Sequence, residues 1–264
     1  MTGLLLGILV GAILGLTGAG GGILAVPALV VGLGWPVQQA APVALIAVAA
    51  GAALGAVEGL RKKLVRYRAA LLMAAAGIPV TGLGVLVAHL LSQRVLLALF
   101  ACVMLFVATR LFLQAQHWLS EPENGRLGHI DPSTGRFNWN WLTAALLAGI
   151  GALTGFMTGL LGVGGGFVIV PLLRRFTDVS MHGIVATSLL VIALVGVGGV
   201  ATTILRGTVI PLELTVYFSL ATACGMMLGR LASSHLSARY VQIGFSIVLV
   251  VVAAGLLVKA FYTG

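Results

Sequence analysis

The chain has 264 residues, of which 60% are hydrophobic and only 8% charged, with a mean hydropathy of +1.15. Such a composition excludes a water-soluble globular fold and leaves the bilayer as the main solvent. The formal charge of +9 would point to nucleic acid only if Lys and Arg shared one soluble surface; here they fall between apolar runs and read as topology signals.

In chain order, apolar stretches run over 3–16, 23–33, 38–60, 69–90 and 94–113, and again over 141–158, 167–173, 182–205, 211–231 and 239–258. A bilayer core about 30 Å thick takes roughly 20 apolar residues per helical span, so the long runs are spanning helices. No Lys or Arg precedes the first run and no small-residue cleavage site follows it, so residue 1 is read as part of the fold with no leader removed. Between the halves lies the polar segment 114–140, with Glu121, Pro122, Asn124, Gly125, Asp131, Pro132 and Gly135, which is loop chemistry. The expected organisation is a first transmembrane repeat over 1–113, a polar linker over 114–140 and a second repeat over 141–264. Trp118, Trp139 and Trp141 at the linker read as interfacial anchors. Cys102 and Cys224 each sit inside an apolar run, which implies neither disulfide nor metal site, and no cofactor is expected.

The duplication is visible residue by residue. At an offset of 144, residues 15–29 match 159–173 at nine of fifteen positions, setting Gly18-Ala19-Gly20-Gly21-Gly22 against Gly162-Val163-Gly164-Gly165-Gly166 and Val26-Pro27 against Val170-Pro171. Gly7 and Gly11 match Gly151 and Gly155; with a one-residue shift, Gly84 meets Gly229, Leu91-Ser92 meets Leu236-Ser237, and Arg94 meets Arg239. The repeat covers nearly all of both halves.

Duplicated membrane proteins are built from parallel or inverted repeats, which place the same loops on different sides. With the cluster Arg61, Lys62, Lys63, Arg66 and Arg68 set in the cytoplasm, the inverted arrangement puts twelve of the fifteen Lys and Arg inside, leaving Arg94, Arg206 and Lys259 outside; the parallel arrangement puts ten inside. The charge pattern therefore favours an all-α polytopic protein of two inverted repeats, with the linker cytoplasmic and both termini outside. As helices, 3–16 and 23–33 measure roughly 21 Å and 16 Å, too short to cross singly. Each repeat is thus a glycine-tipped hairpin, or a broken helix, followed by three spanning helices.

Non-helical backbone at membrane depth persists only where it is buried in protein or faces a watery cavity. The two glycine runs meet that description, and short helices beginning near Ile23 and Phe167 point their free N–H groups and positive dipole ends into them. Successive N–H groups of this kind cradle phosphate- or sulfate-like anions. Gly3, Gly7, Gly11 and Gly15, like Gly51, Gly55 and Gly59, recur every fourth residue and read as close helix-packing rows instead. Candidate substrate contacts are Thr17, Gly18, Ala19, Gly20, Gly21 and Gly22 in the first half, and Gly162, Val163, Gly164, Gly165 and Gly166 in the second. Gln38 joins them with Thr187-Ser188, which follow their loop at the distance at which Val43-Ala44 follow the first. Gln39, Thr202 and Thr203 are weaker candidates, and Pro27 and Pro171 are expected to break their helices. Ionisable residues within apolar runs are few: Glu58, His89, His182, Glu213 and His235. Of these, His182 and Glu213 are the candidates for coupling to a proton.

The duplicated Gly-x-Gly-Gly-Gly-x-x-x-Val-Pro core, with Ala186-Thr187-Ser188-Leu189, resembles the sulfite exporter TauE/SafE family, transporters of the toluene sulfonate uptake permease type. This likeness spans both halves; the sequence departs from the family in having Ala41-Pro42-Val43-Ala44 in place of the hydroxyl-bearing pattern, and in its long linker. The resemblance implies a multi-pass protein of the bacterial cytoplasmic (inner) membrane that moves sulfite, sulfoacetate or another organosulfonate. Expected partners are the small anion, membrane lipid and a coupling proton or cation; a homo-oligomer is left open and no nucleic acid is expected. A passive anion channel is the alternative, although no ring of pore charges is visible. An intramembrane enzyme would need paired carboxylates, a His cluster or a nucleophile with its base, and the six acidic residues are scattered.

Overall fold

The computed structural model describes residues 2–18, 20–116, 139–207, 210–233 and 236–262; most of the linker, Ala19 and His235 lie outside the described residues. The first half forms α1 (Thr2–Thr17), a 3-10 turn (Gly21–Leu24), α2 (Ala25–Gly32), α3 (Val37–Arg61), α4 (Tyr67–Leu90) and α5 (Gln93–Ala115). The second forms α6 (Trp141–Leu161), α7 (Gly166–Phe176), α8 (Met181–Leu205), α9 (Leu212–Ser233) and α10 (Ala238–Tyr262). Among the described residues seven helices, α3 to α6 and α8 to α10, are long and apolar enough to cross a membrane, while α1 and the 12 residues Gly21–Gly32 are not. Helix starts follow local chemistry: Ser92 caps α5 by accepting from the Val95 N–H at 3.5 Å, and Ser180 caps α8 by accepting from the Gly183 N–H at 3.3 Å.

The first repeat opens with a hairpin rather than a broken span. Gly21 returns against the backbone of Leu14, and Gly32 lies against the side chain of Leu6, so the second limb runs back along the first. Pro27 and Pro171 do not break their helices, contrary to expectation. Pro27 occupies the first turn of α2, where its missing N–H has no helical partner anyway. Pro171 sits inside α7, which continues to Phe176 and leaves only the Phe167 carbonyl without its usual donor.

The halves interlock. α1 packs on α9 through Gly7, Gly11 and Gly15, which face the carbonyls of Phe218, Thr222 and Met226. The same contact recurs with the halves exchanged, where Gly151, Gly155 and Gly159 of α6 face the carbonyls of Met73, Gly77 and Thr81 of α4. The four-residue glycine spacing is thus a packing device, since a helix without Cβ atoms on one face can bring its backbone against a neighbour's. At the centre, α3 crosses its counterpart α8 in antiparallel fashion: Gly59 lies beside Ala186, Gly55 beside Leu189, Gly196 beside Ala49 and Gly199 beside Leu45. Among the described spanning helices these two are the most enclosed, and α10 is the most peripheral. On one flank Lys259 of α10 donates to the Val30 carbonyl at 2.5 Å, placing a cation at the C-terminal end of α2.

Candidate functional site

The chain reverses after α1 at Gly18, whose φ of +77° is the left-handed conformation that favours glycine, and the equivalent Gly162 has φ +69°. Each of these glycines presses on the same position of the opposite half: Gly18 on Val185, and Gly162 on Ala41. The two tips touch. A Cβ on Gly22 would stand 2.9 Å from the Val163 carbonyl oxygen, and Val48 packs against both Gly22 and Gly164. Two stretches of irregular backbone therefore shelter each other at the middle of the molecule.

The first tip forms part of a cavity of about 500 Å³ lined by Thr17, Gly18 and Gly20 together with the C-terminal ends of α3, α5 and α9, one side of α7 from Phe167 to Arg174, and the N-terminal ends of α8 and α10. Four cationic side chains, Lys62, Arg110, Arg174 and Arg230, face it with a single carboxylate, Glu58. Glu58 accepts from Lys62 Nζ at 2.6 Å and from Arg230 Nη1, so one acid ties α3 to α9 of the other half. Among the residues that line it, cations outnumber carboxylates four to one. A cleft lined mainly by one sign of charge, with low-dielectric walls, favours ions of the opposite sign.

A second cavity, of about 40 Å³, occupies the equivalent place in the other half and is lined by Gln38, Ala41, Pro42, Val85, His89, Thr158 and Gly162 among others. Position by position it repeats the large one: Gln38 stands for His182, Ala41 for Val185, Pro42 for Ala186, Gly159 for Gly15 and Gly162 for Gly18. Where the large cavity has Arg230, the small one has Val85. One copy is large and lined by cations, the other small and lined by no Lys, Arg, Asp or Glu.

The structure brings some of the expected residues together and separates others. Thr17, Gly18, Gly20 and His182 line the large cavity, and Gln38, Gly162 and Thr203 the small one. Gly21, Gly22, Val163, Gly164, Gly165 and Gly166 are buried between the tips and their supporting helices. Ala19 lies outside the described residues. Thr187 and Ser188 line neither cavity: the Thr187 hydroxyl accepts from the Arg66 N–H at 3.0 Å, and Ser188 donates to the Ile184 carbonyl at 2.8 Å. Glu213 is exposed in the first turn of α9, at the end remote from the basic cavity. Sequence reading passed over Glu58 as a bridge between the halves, and it did not single out Thr154 and Thr158, whose buried hydroxyls have no hydrogen-bond partner. A four-residue Thr spacing preceding the second glycine run was the available signal.

A polytopic helical protein with a basic cavity leading to non-helical backbone at its centre has the construction of a membrane transporter. Residues 3–256 match the family described as Sulfite exporter TauE/SafE, and the chain belongs to that family. Two relatives, each named a probable membrane transporter protein, come from Xylella fastidiosa strains 9a5c and Temecula1 / ATCC 700964. Each is 31% identical over 234 residues, covering 87% of this chain and 83% of its own. No solved structure matches.

Proposed function

We propose that this protein is a secondary transporter that moves a small sulfur-containing anion, sulfite, sulfoacetate or another organosulfonate, across the bacterial cytoplasmic membrane by alternating access. The observation that carries the reading is the pair of equivalent cavities, one of about 500 Å³ and one of about 40 Å³, meeting the two glycine tips. In a molecule whose halves are exchanged by symmetry, closing the large cavity and opening the small one converts one state into its counterpart. The antiparallel crossing of α3 and α8 supports inverted repeats, with the basic cavity on the cytoplasmic side beside the linker and the termini outside. Glycine rows lock α1 to α9 and α6 to α4, so each moving body draws a helix from both halves. A passive channel is favoured less, because the touching tips stand between the two cavities. The family description and the relatives' names support transport in preference to catalysis.

The role of the tip is testable at Gly20. Bulky residues at Gly21 or Gly165 would collide with the main chain of Leu14 or Thr154, so they test folding and not transport. Gly20 has φ −80°, ψ −30° and lines the cavity, and a Cβ there would meet nothing closer than Phe245 Cε1 at 3.7 Å. Gly20→Leu is expected to fold normally and to lower sulfite flux into proteoliposomes at least tenfold by covering the tip amides. Saturating flux in the unaltered protein separates a carrier from a channel; wild-type flux in Gly20→Leu would remove the tip from the mechanism.

A further inference from the structure

A hydroxyl inside a membrane helix usually donates to the carbonyl one turn back. Thr17, Thr81, Thr203, Thr222 and Ser188 all do so, at 2.7–2.9 Å. Thr154 and Thr158 of α6 do not. Both are 0% exposed, and the Oγ1 of each is without a hydrogen-bond partner. They stand one turn apart against the second glycine tip: a Cβ on Gly165 would lie 2.4 Å from Thr154 Cγ2 and 3.0 Å from Thr158 Oγ1.

Gly165 is the N-cap of α7 and makes no side-chain hydrogen bond; the Val168 N–H already closes on the Gly165 carbonyl at 3.0 Å, so within this 11-residue helix it is the N–H groups of Gly166 and Phe167 that have no acceptor. Thr158 also lines the small cavity with Gly159, Gly162 and Gln38. A buried polar group left unpaired is costly, and it persists where something else completes it. The feature is not a by-product of the duplication, since the equivalent positions in the first half are Val10 and Leu14, both fully buried. Hydroxyls, main-chain N–H groups and the positive end of a helix are suited to an oxygen that carries negative charge, and no carboxylate lines the small cavity to receive a cation. At about 40 Å³ the small cavity has room for water but is far smaller than the large one of about 500 Å³. On this reading a whole sulfonate head enters it only when it widens.

We infer that Thr154 and Thr158, with the N–H groups of Gly166 and Phe167 at the start of α7, form the dehydrating half of the anion site, which takes the oxyanion's oxygens after it leaves the basic cavity. This rests on the transport reading above, and it makes the two tips unequal: the first attracts by net charge, the second binds by hydrogen bonds.

The test is thermal unfolding of the detergent-purified full chain, titrated with sulfite. Thr154→Val/Thr158→Val keeps the shape and removes both hydroxyls. Without sulfite it is expected to unfold at a higher temperature than the unaltered chain, because two unpaired polar groups are gone. With sulfite it is expected to lose affinity at least tenfold, while Thr158→Ser, which keeps a hydroxyl, retains the sulfite response. A lower unfolding temperature without sulfite would overturn the inference by showing that the hydroxyls are already paired. Unaltered sulfite affinity in the double variant would also overturn it, leaving the basic cavity and first tip standing. If the unaltered protein responds to none of sulfite, sulfoacetate and thiosulfate, the transport reading falls with it.

Discussion

Gly11→Ala and Gly155→Ala are each expected to destabilise the protein by about 3 kcal/mol, at the upper end of what overpacking a well-filled interface costs. A Cβ on Gly11 would lie 2.0 Å from the Thr222 carbonyl oxygen, and one on Gly155 2.1 Å from that of Gly77. In both cases the obstructing atom is main chain of a neighbouring helix, so no side-chain rotation relieves the clash and the helices must separate. Separation along one row also disturbs Gly7 and Gly15, or Gly151 and Gly159, which share the same contact surface. Gly149→Ala and Gly244→Ala serve as controls: both are helical, and a Cβ at either meets nothing within 4 Å. There Ala is expected to be neutral or stabilising by up to about 1 kcal/mol through helix propensity. Thermal unfolding should fall by roughly 6–12 °C for the first pair and hold or rise for the second. Equal behaviour of both pairs would show that the glycine rows are not the interlocking contacts. Because α1 and α9 come from different halves, as do α6 and α4, such a loss would also show that neither half is stable without the other.

How far the sequence foretold this structure depends on what each feature rests on. Helix number, the position of the two glycine tips, and the packing role of the Gly7, Gly11 and Gly15 row follow from short-range periodicity and steric demands, which a single chain displays directly, whereas the choice between a hairpin and a broken span at the first tip does not. What could not be read was partnership across the halves. Nothing local to Glu58 announces Arg230, 172 positions away, and nothing local to Thr187 announces the Arg66 amide it receives. Hydroxyls are the plainest case, because Thr154, Thr158, Thr187 and Ser188 are alike in sequence and differ only in what stands opposite. Thr187 and Ser188 stood beside a recognisable motif and turned out to be committed to main-chain partners, whereas Thr154 and Thr158 carried no motif and remain unpaired. The helix length of α6 illustrates the same limit in another form. The apolar run ends near 158, yet the helix continues to Leu161 because Gly162 accepts the left-handed conformation and its N–H closes on the Thr158 carbonyl at 2.8 Å.

Reversing the charge at Arg230 is expected to cost about 100-fold in anion uptake. Arg230→Glu would turn four cations and one carboxylate facing the large cavity into three and two, reducing the formal excess from three charges to one. It would also leave two carboxylates side by side where an ion pair now joins α3 to α9. Unit charges 4 Å apart interact by about 4 kcal/mol at an effective dielectric of 20. Side-chain exposures of 29% for Arg230 and 43% for Glu58 reduce this through solvent screening. A residual penalty of roughly 2–3 kcal/mol against an approaching anion corresponds to about two orders of magnitude. Glu58→Arg/Arg230→Glu restores the net charge and the bridge between the halves with its polarity reversed, and gives up only the exposed Lys62–Glu58 pair, which contributes little to stability. If the cavity acts on the anion through its summed field, this double variant should recover most of the uptake; if the Arg230 guanidinium itself grips the anion, the double variant will fold as well as the original yet transport no better than Arg230→Glu. Uptake by Arg230→Glu at the unaltered rate would mean that the anion does not pass through the basic cavity, and that the excess positive charge there serves orientation in the membrane alone.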